Sequence, residues 1–231
     1  MVTSANERSP VVFLLDVDNT LIDNDRVTED LRRHLSHEVG AKHQERYWSI
    51  FEELRQQLGY ADYLGALQRY RIENPHETRM IQVSLFFVNY HFANRLFPGS
   101  LDVLDHLSGF GPTVILSDGD VVFQPLKVDR SGLMEAVDER VLIYVHKEQE
   151  LDEVERLYPA DHYVLVDDKV RILSAVKKVW GERLTTVFVK QGHYAHATDV
   201  KDYPPPDLGI DRISDLLKYD LKTILASRPK R

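Results

Sequence analysis

The chain has 231 residues, 43% of them hydrophobic and 29% charged, and a formal net charge of -8. That composition describes a globular protein of one large or two modest domains, with no run approaching the ~18 apolar residues of a membrane span. Cysteine is absent, which excludes disulfides, thiolate metal sites and a cysteine nucleophile. The basic residues are dispersed, which argues against a broad nucleic-acid footprint. Met1-Val-Thr-Ser-Ala-Asn-Glu-Arg8 has neither the basic start nor the apolar stretch of a secretory signal. Together with the missing cysteines this points to the cytoplasm.

The first element is Val11-Val-Phe-Leu-Leu15, a continuous apolar run that reads as a strand buried on both faces of a parallel sheet. It runs out into Asp16 and Asp18, with Val17 between them and Thr20 two places on. Buried strands seldom end in two acids unless a cation, a proton or a nucleophilic attack needs them. Ligands of open α/β sheets bind beyond the carboxyl ends of the strands.

The pattern then turns helical. Leu31, Leu35 and Val39 recur at helical spacing, followed by Tyr47, Ile50, Phe51 and Leu54, then Tyr63, Leu64, Leu67 and Tyr70. Met80, Val83, Phe86, Phe87, Tyr90 and Phe92 form a fourth segment, whose aromatic band is accounted for as bundle core. Gly40, Gly59 and Asn74-Pro75 mark the helix ends. Residues 25–96 thus read as an inserted helical bundle, leaving 1–24 and 97–231 as the core domain.

Phe97-Pro-Gly99 marks the return, and Leu101, Leu104 and Leu107 supply one more helix. The apolar runs Thr113–Leu116, Val141–Val145, His162–Val166 and Thr185–Val189 then alternate with helical stretches to about Val137, from Leu151 to Leu157 and from Val170 to Trp180. Alternation of this kind predicts a doubly wound parallel sheet with helices on both faces. Tyr203-Pro-Pro-Pro206 reads as a stiff connector and Ile213–Leu225 as a terminal helix. Arg228-Pro-Lys-Arg231 reads as a solvated tail.

Each strong run is followed by chemistry: Asp16 and Asp18, then Ser117-Asp-Gly119, then His146-Lys147, then Asp167-Asp-Lys169. In a parallel sheet all four sets meet at one edge. His193 and His196 could reach the same rim, but no third ligand is near and a surface loop accounts for them.

With Asp16-Val-Asp18-Asn-Thr20, Ser117, Lys147 and Asp167-Asp168 in this order, the chain resembles the haloacid dehalogenase (HAD) superfamily over essentially its whole length, in the phosphatase branch. The resemblance implies a Rossmann-like α/β core with a helical cap inserted between the first two motifs. It implies a Mg²⁺-dependent phosphatase acting on a small phosphorylated metabolite through an aspartyl-phosphate, with no nucleic acid or membrane partner. Asp16 would be the nucleophile and Asp18 the general acid and then base. Mg²⁺ would be held by Asp16, the main-chain carbonyl of Asp18 and Asp167, with Asp168 a direct or outer ligand. Ser117 and the amides of Asp118 and Gly119 would cradle the phosphoryl oxygens. Lys147 would neutralise the charge shared by Asp16 and the phosphate. Thr20 would orient Asp18. Asn19 stands where the superfamily commonly has glycine. Asp18 argues against dehalogenation, where no leaving group needs a proton, whereas a phosphomutase keeps both aspartates. A non-catalytic phospholigand-binding protein would need neither. Arg46, Tyr47, Asn89 and Tyr90 are candidate substrate contacts from the cap.

Overall fold

A computed structural model of the chain describes residues 8–227; the rest of the N-terminal stretch and the basic tail 228–231 lie outside the described residues. The strands are β1 (Ser9–Leu15), β2 (Thr113–Asp118), β3 (Val141–Tyr144), β4 (Ala160–Asp167), β5 (Leu184–Val189) and β6 (Leu208–Ile210). They form one sheet in the order β3-β2-β1-β4-β5-β6, parallel throughout.

The continuous apolar run of β1 is explained by its place in the middle of this sheet. Val11, Phe13 and Leu15 point into one apolar cluster, whereas Val12 and Leu14 point into the other. On the first face lie α5 (Ser100–Ser108), α6 (Phe123–Arg130) and α7 (Leu133–Ala136). On the second lie α8 (Leu151–Leu157) and α9 (Val170–Trp180). Both faces are covered, so no strand of the centre alternates apolar with polar. Sequence order reverses between β1 and β4, which opens a crevice at their carboxyl ends.

Between β1 and β2 the chain forms α1 (Asn24–Val39), α2 (Ala41–Leu58), α3 (Tyr63–Glu73) and α4 (Met80–Val88). Val27, Leu31, Leu35 and Val39 line the buried stripe of α1, whose first turn is capped by Asp23 accepting from the Arg26 amide at 2.9 Å. Asp62 caps α3 in the same way, accepting from the Gly65 amide at 2.7 Å. The aromatic residues of these helices do not form a separate interior. The Phe123 ring of α6 lies 5.0 Å from Tyr63, 5.9 Å from Phe87 and 5.5 Å from Phe92, so the helical segment and the sheet share one apolar cluster.

Three differences from the sequence reading have local causes. The helix expected to continue to Val137 breaks between α6 and α7, where Gly132 takes a φ of +84°. The terminal helix is a 3₁₀ segment, Ile213–Lys218, followed by α10 (Leu221–Ala226), because Asp220 caps a new start by accepting from the Thr223 amide at 2.8 Å. Strand β6 has no counterpart in the reading, since three residues carry no periodic signal; its pairing to β5 makes it a strand. Among the described residues no helix is long and apolar enough to cross a membrane.

Candidate active site

Asp16 follows β1 directly and is buried, its amide donating to the Val166 carbonyl of β4 at 3.0 Å. The chain then turns back tightly. The Val17 carbonyl accepts from the Leu21 and Ile22 amides at 2.9 Å each, and the Asn19 amide donates to the Ile22 carbonyl at 2.7 Å. The turn requires a φ of +60° at Asn19, a conformation that glycine and asparagine tolerate best, which accounts for asparagine in a glycine position. The Asn19 carboxamide oxygen accepts from the Asn24 and Asp25 amides at 3.0 and 3.1 Å, locking the turn onto the start of α1. Gly192, after β5, packs so close that a Cβ there would sit 2.4 Å from the Asn19 Cβ.

Lys147, just past β3, reaches under this turn. Its Nζ lies 2.6 Å from Asp16 Oδ1, 2.7 Å from Asp167 Oδ2 and 3.2 Å from the Leu116 carbonyl, which accepts from it. Burial alone would pull this ammonium down, but Asp16, Asp167 and Asp118 hold it above the ordinary lysine range. Burial pushes the carboxyls of Asp167, Asp168 and Asp118 up against the pull of Lys147 and Lys169. Lys169 is likewise held above its ordinary value: burial opposes its charge, and Asp16, Asp168 and Asp167 outweigh burial.

Asp16, Asp167 and Asp168 each offer an oxygen within 4.8 Å of the others, all three residues being buried. Asp16 Oδ2 and both oxygens of Asp168 have no hydrogen-bond partner. Carboxylate oxygens buried without partners and within reach of one another are placed to hold a divalent cation, and an all-oxygen donor set suits a hard ion. Asp168, left undecided by sequence, belongs to this group. The Asp18 side chain does not belong to the cluster.

Ser117 is buried; its Oγ accepts from Gln124 Nε2 at 2.9 Å and donates over a long 3.4 Å to the Asp118 carbonyl. Asp118 caps the segment after β3, its Oδ1 accepting from the Lys147 amide at 2.7 Å. The Gly119 amide, expected in a phosphate cradle, donates instead to the Tyr144 carbonyl at 3.0 Å because β2 and β3 pair up to that point. Thr20, expected to orient Asp18, is fully buried and its Oγ1 makes no hydrogen bond. Asp18 is held by a residue the sequence reading missed: Lys127 of α6, whose Nζ donates to Asp18 Oδ1 at 2.5 Å. Gln124 and Lys127 share the buried face of α6 with Phe123 and Val128, and a lysine on an apolar helix stripe was the available signal.

Asp18 opens on a cavity of about 300 Å³ roofed by Arg55, Tyr60 and Ala61 and floored by Asp118, Lys169 and Arg171. Arg32 and Trp48 line its continuation along α1 and α2. The cap residues suggested by sequence lie elsewhere. Arg46 is paired with Glu73 at 2.7 Å and Glu53 at 2.9 Å, and the Tyr47 hydroxyl donates to the Tyr63 carbonyl at 2.9 Å inside the bundle. Asn89 and Tyr90 line a separate groove with Asp30 and His34. Helical spacing told which residues share a face, not which face turns to the site. His193 lies 2.5 Å from Asp25, and neither it nor His196 joins a metal-binding group among the described residues.

A parallel sheet whose acidic crevice opens at the switch between β1 and β4 is the architecture of α/β hydrolases of the haloacid dehalogenase type. The haloacid dehalogenase-like hydrolase family matches residues 11–179, and the chain belongs to it. A haloacid dehalogenase-like protein from Burkholderia xenovorans LB400, known from a crystal structure, is 59% identical, covering 92% of this chain and 99% of its own at a TM-score of 0.88. The fold is shared with the L-2-haloacid dehalogenase of Xanthobacter autotrophicus, solved with chloropropionic acid covalently bound, at 16% identity and a TM-score of 0.59 over 91% of this chain and 97% of that one. It is also shared with the HAD-type protein YfnB of Bacillus subtilis bound to magnesium, at 15% identity and a TM-score of 0.61 over 91% and 98%. No curated protein matches the chain.

Proposed function

We propose that the protein is a Mg²⁺-dependent phosphomonoesterase acting on a small phosphorylated metabolite, with residues 25–96 serving as a cap over the site. The observation that carries this reading is the buried carboxylate group of Asp16, Asp167 and Asp168 beside Lys147, with Asp18 kept two residues beyond Asp16. Attack on a neutral carbon-halogen bond needs no cation and no proton donor. A phosphate brought against three carboxylates needs both, since like charges at this range in a buried site repel by several kcal/mol.

Asp16, Asp167 and Asp168 would hold Mg²⁺ with the main-chain carbonyl of Asp18, and the ion would supply charge neutralisation for the phosphoryl oxygens. Asp16 attacks phosphorus while Lys147, donating to its Oδ1, holds the carboxylate in place. Ser117, whose Oγ is held by Gln124, donates a hydrogen bond to a phosphoryl oxygen. Asp18 gives a proton to the departing oxygen, then takes one from the water that hydrolyses the aspartyl-phosphate.

The test is release of p-nitrophenol from p-nitrophenyl phosphate by the wild type and Asp16→Asn, with Mg²⁺ and with a chelator. The expected result is turnover that needs both Mg²⁺ and Asp16. Chloride release from 2-chloropropionate without phosphatase activity would overturn the reading, as would phosphate transfer between positions of a sugar phosphate with little free phosphate.

A further inference from the structure

One buried charge stands outside this scheme. Lys127 is fully buried, on a helix face otherwise occupied by Phe123, Gln124 and Val128. Leucine would serve that face without the several kcal/mol of desolvation that a buried ammonium costs. Its Nζ has two acceptors, Asp18 Oδ1 at 2.5 Å and Asn24 Oδ1 at 2.9 Å. Among the described residues no other side chain hydrogen-bonds to the Asp18 carboxylate, although the Asp18 side chain is 21% exposed and lines the cavity.

We propose that Lys127 is a positioning residue for Asp18: it takes Oδ1 in an ion pair and thereby presents Oδ2 to the leaving-group oxygen. The proposal rests on the phosphatase reading above. A short aspartate at the mouth of a cavity would otherwise sample several rotamers, and a proton donor is effective only when held near its acceptor. The neighbouring contact one turn earlier has the same form. Gln124 Nε2 donates to Ser117 Oγ at 2.9 Å, so α6 orients two site side chains from positions three apart. The second acceptor of Lys127, Asn24, is the first residue of α1, and its Nδ2 donates to the Tyr63 hydroxyl at 3.4 Å. Lys127 therefore references Asp18 to the base of the helical segment as well as to the core.

Lys127 itself transfers no proton. In the first half-reaction the bond from Asp16 oxygen to phosphorus forms, the ester P–O bond breaks, and the proton on Asp18 goes to the leaving oxygen. In the second, water oxygen bonds to phosphorus, the Asp16–phosphorus bond breaks, and the water's proton returns to Asp18. What Lys127 contributes is the place of Asp18 in both.

The experiment measures kcat and KM of wild type, Lys127→Met, Asp18→Asn and the double variant with two substrates. One is an alkyl phosphate, whose alkoxide must be protonated to leave; the other is p-nitrophenyl phosphate, whose phenolate leaves unprotonated. Lys127→Met is expected to lower kcat about 100-fold for the alkyl ester and less than about 10-fold for the aryl ester, as loss of a positioned acid does. In the Asp18→Asn background the same change should cost less than about 3-fold, because residues acting as a unit are not additive. Equal loss on both esters, or an additive loss in the double variant, would overturn the proposal. Lys127→Gln, which keeps one donor, should fall between the two and serves if Lys127→Met does not fold. Crystal structures of wild type and variant give an arm independent of turnover. Asp18 in an unchanged rotamer in the variant overturns the positioning role. A displaced Asp18 in a protein whose wild type hydrolyses neither ester supports that role and overturns the phosphatase reading instead.

Discussion

Arg55 of α2 donates from Nη1 to the hydroxyl of Tyr194, after β5, at 2.7 Å. This one contact ties the helical segment to the core across the mouth of the cavity that holds Asp18, and both residues line it. Arg55 is also paired with Glu52 at 2.8 Å, which keeps the guanidinium in line with the tyrosine.

Tyr194→Phe removes the acceptor and leaves the ring. A hydrogen bond to a half-exposed guanidinium contributes about 1 kcal/mol. Loosening the mouth by that amount is expected to raise KM by about 5-fold. The melting temperature should move by less than about 4 °C, since the tie is a small part of total stability. Steady-state kinetics and a thermal scan on the same preparation check it; an unchanged KM would show that the mouth does not depend on this bond.

Lys147→Met should be far more costly. It leaves Asp16 and Asp167 buried with no cation between them, where each now lies within 2.7 Å of the ammonium. Removing one partner from a buried ionic group costs about 3 to 5 kcal/mol. We expect a loss of about that size in urea unfolding with chelator present, and kcat down by at least about 100-fold. Addition of Mg²⁺ should recover stability but not turnover. A variant as stable as wild type in chelator would mean that the carboxylates do not depend on Lys147.

A third prediction concerns pH and lies outside the site. Asp30 of α1 accepts from the Tyr90 hydroxyl at 2.5 Å and from Arg95 Nε at 2.9 Å. Burial alone would raise its carboxyl, but these bonds and the charges of Arg95 and Arg33 bring it below the ordinary aspartate value. With the folded value below the unfolded one, the unfolded chain binds more protons in acid. The contribution is therefore complete above about pH 4 and lost as pH falls through the folded value. Asp30→Asn should cost about 2 kcal/mol at pH 7, and the gap to wild type should close as pH falls through the folded value, below the ordinary aspartate range. A gap independent of pH would assign the cost to packing.

The fold was largely legible because it is written in short-range patterns. Val11–Leu15 is apolar without alternation only because both faces of the strand are covered. Leu31, Leu35 and Val39 show the stripe of α1 for the same reason, in the helical period. Strand β6 was not legible, since its identity comes from pairing with β5 rather than from its own three residues. Asp16, Ser117, Lys147 and Asp167 could be expected at one edge because each lies within three residues of the carboxyl end of a strand, and parallel strands deliver those ends to one edge.

The sequence by itself determined which residues lie at the carboxyl edge of the sheet and what chemistry their types permit. It did so because strand ends and side-chain period are local properties of the chain. Only the tertiary structure decided that the Thr20 hydroxyl makes no hydrogen bond to Asp18, that the Gly119 amide is taken up by Tyr144, and that Lys127 holds Asp18 across 109 positions of sequence. Those facts depend on which face of α6 meets the turn after β1. That is set by how Phe123 packs among Tyr63, Phe87 and Phe92, and no spacing within the helix carries it.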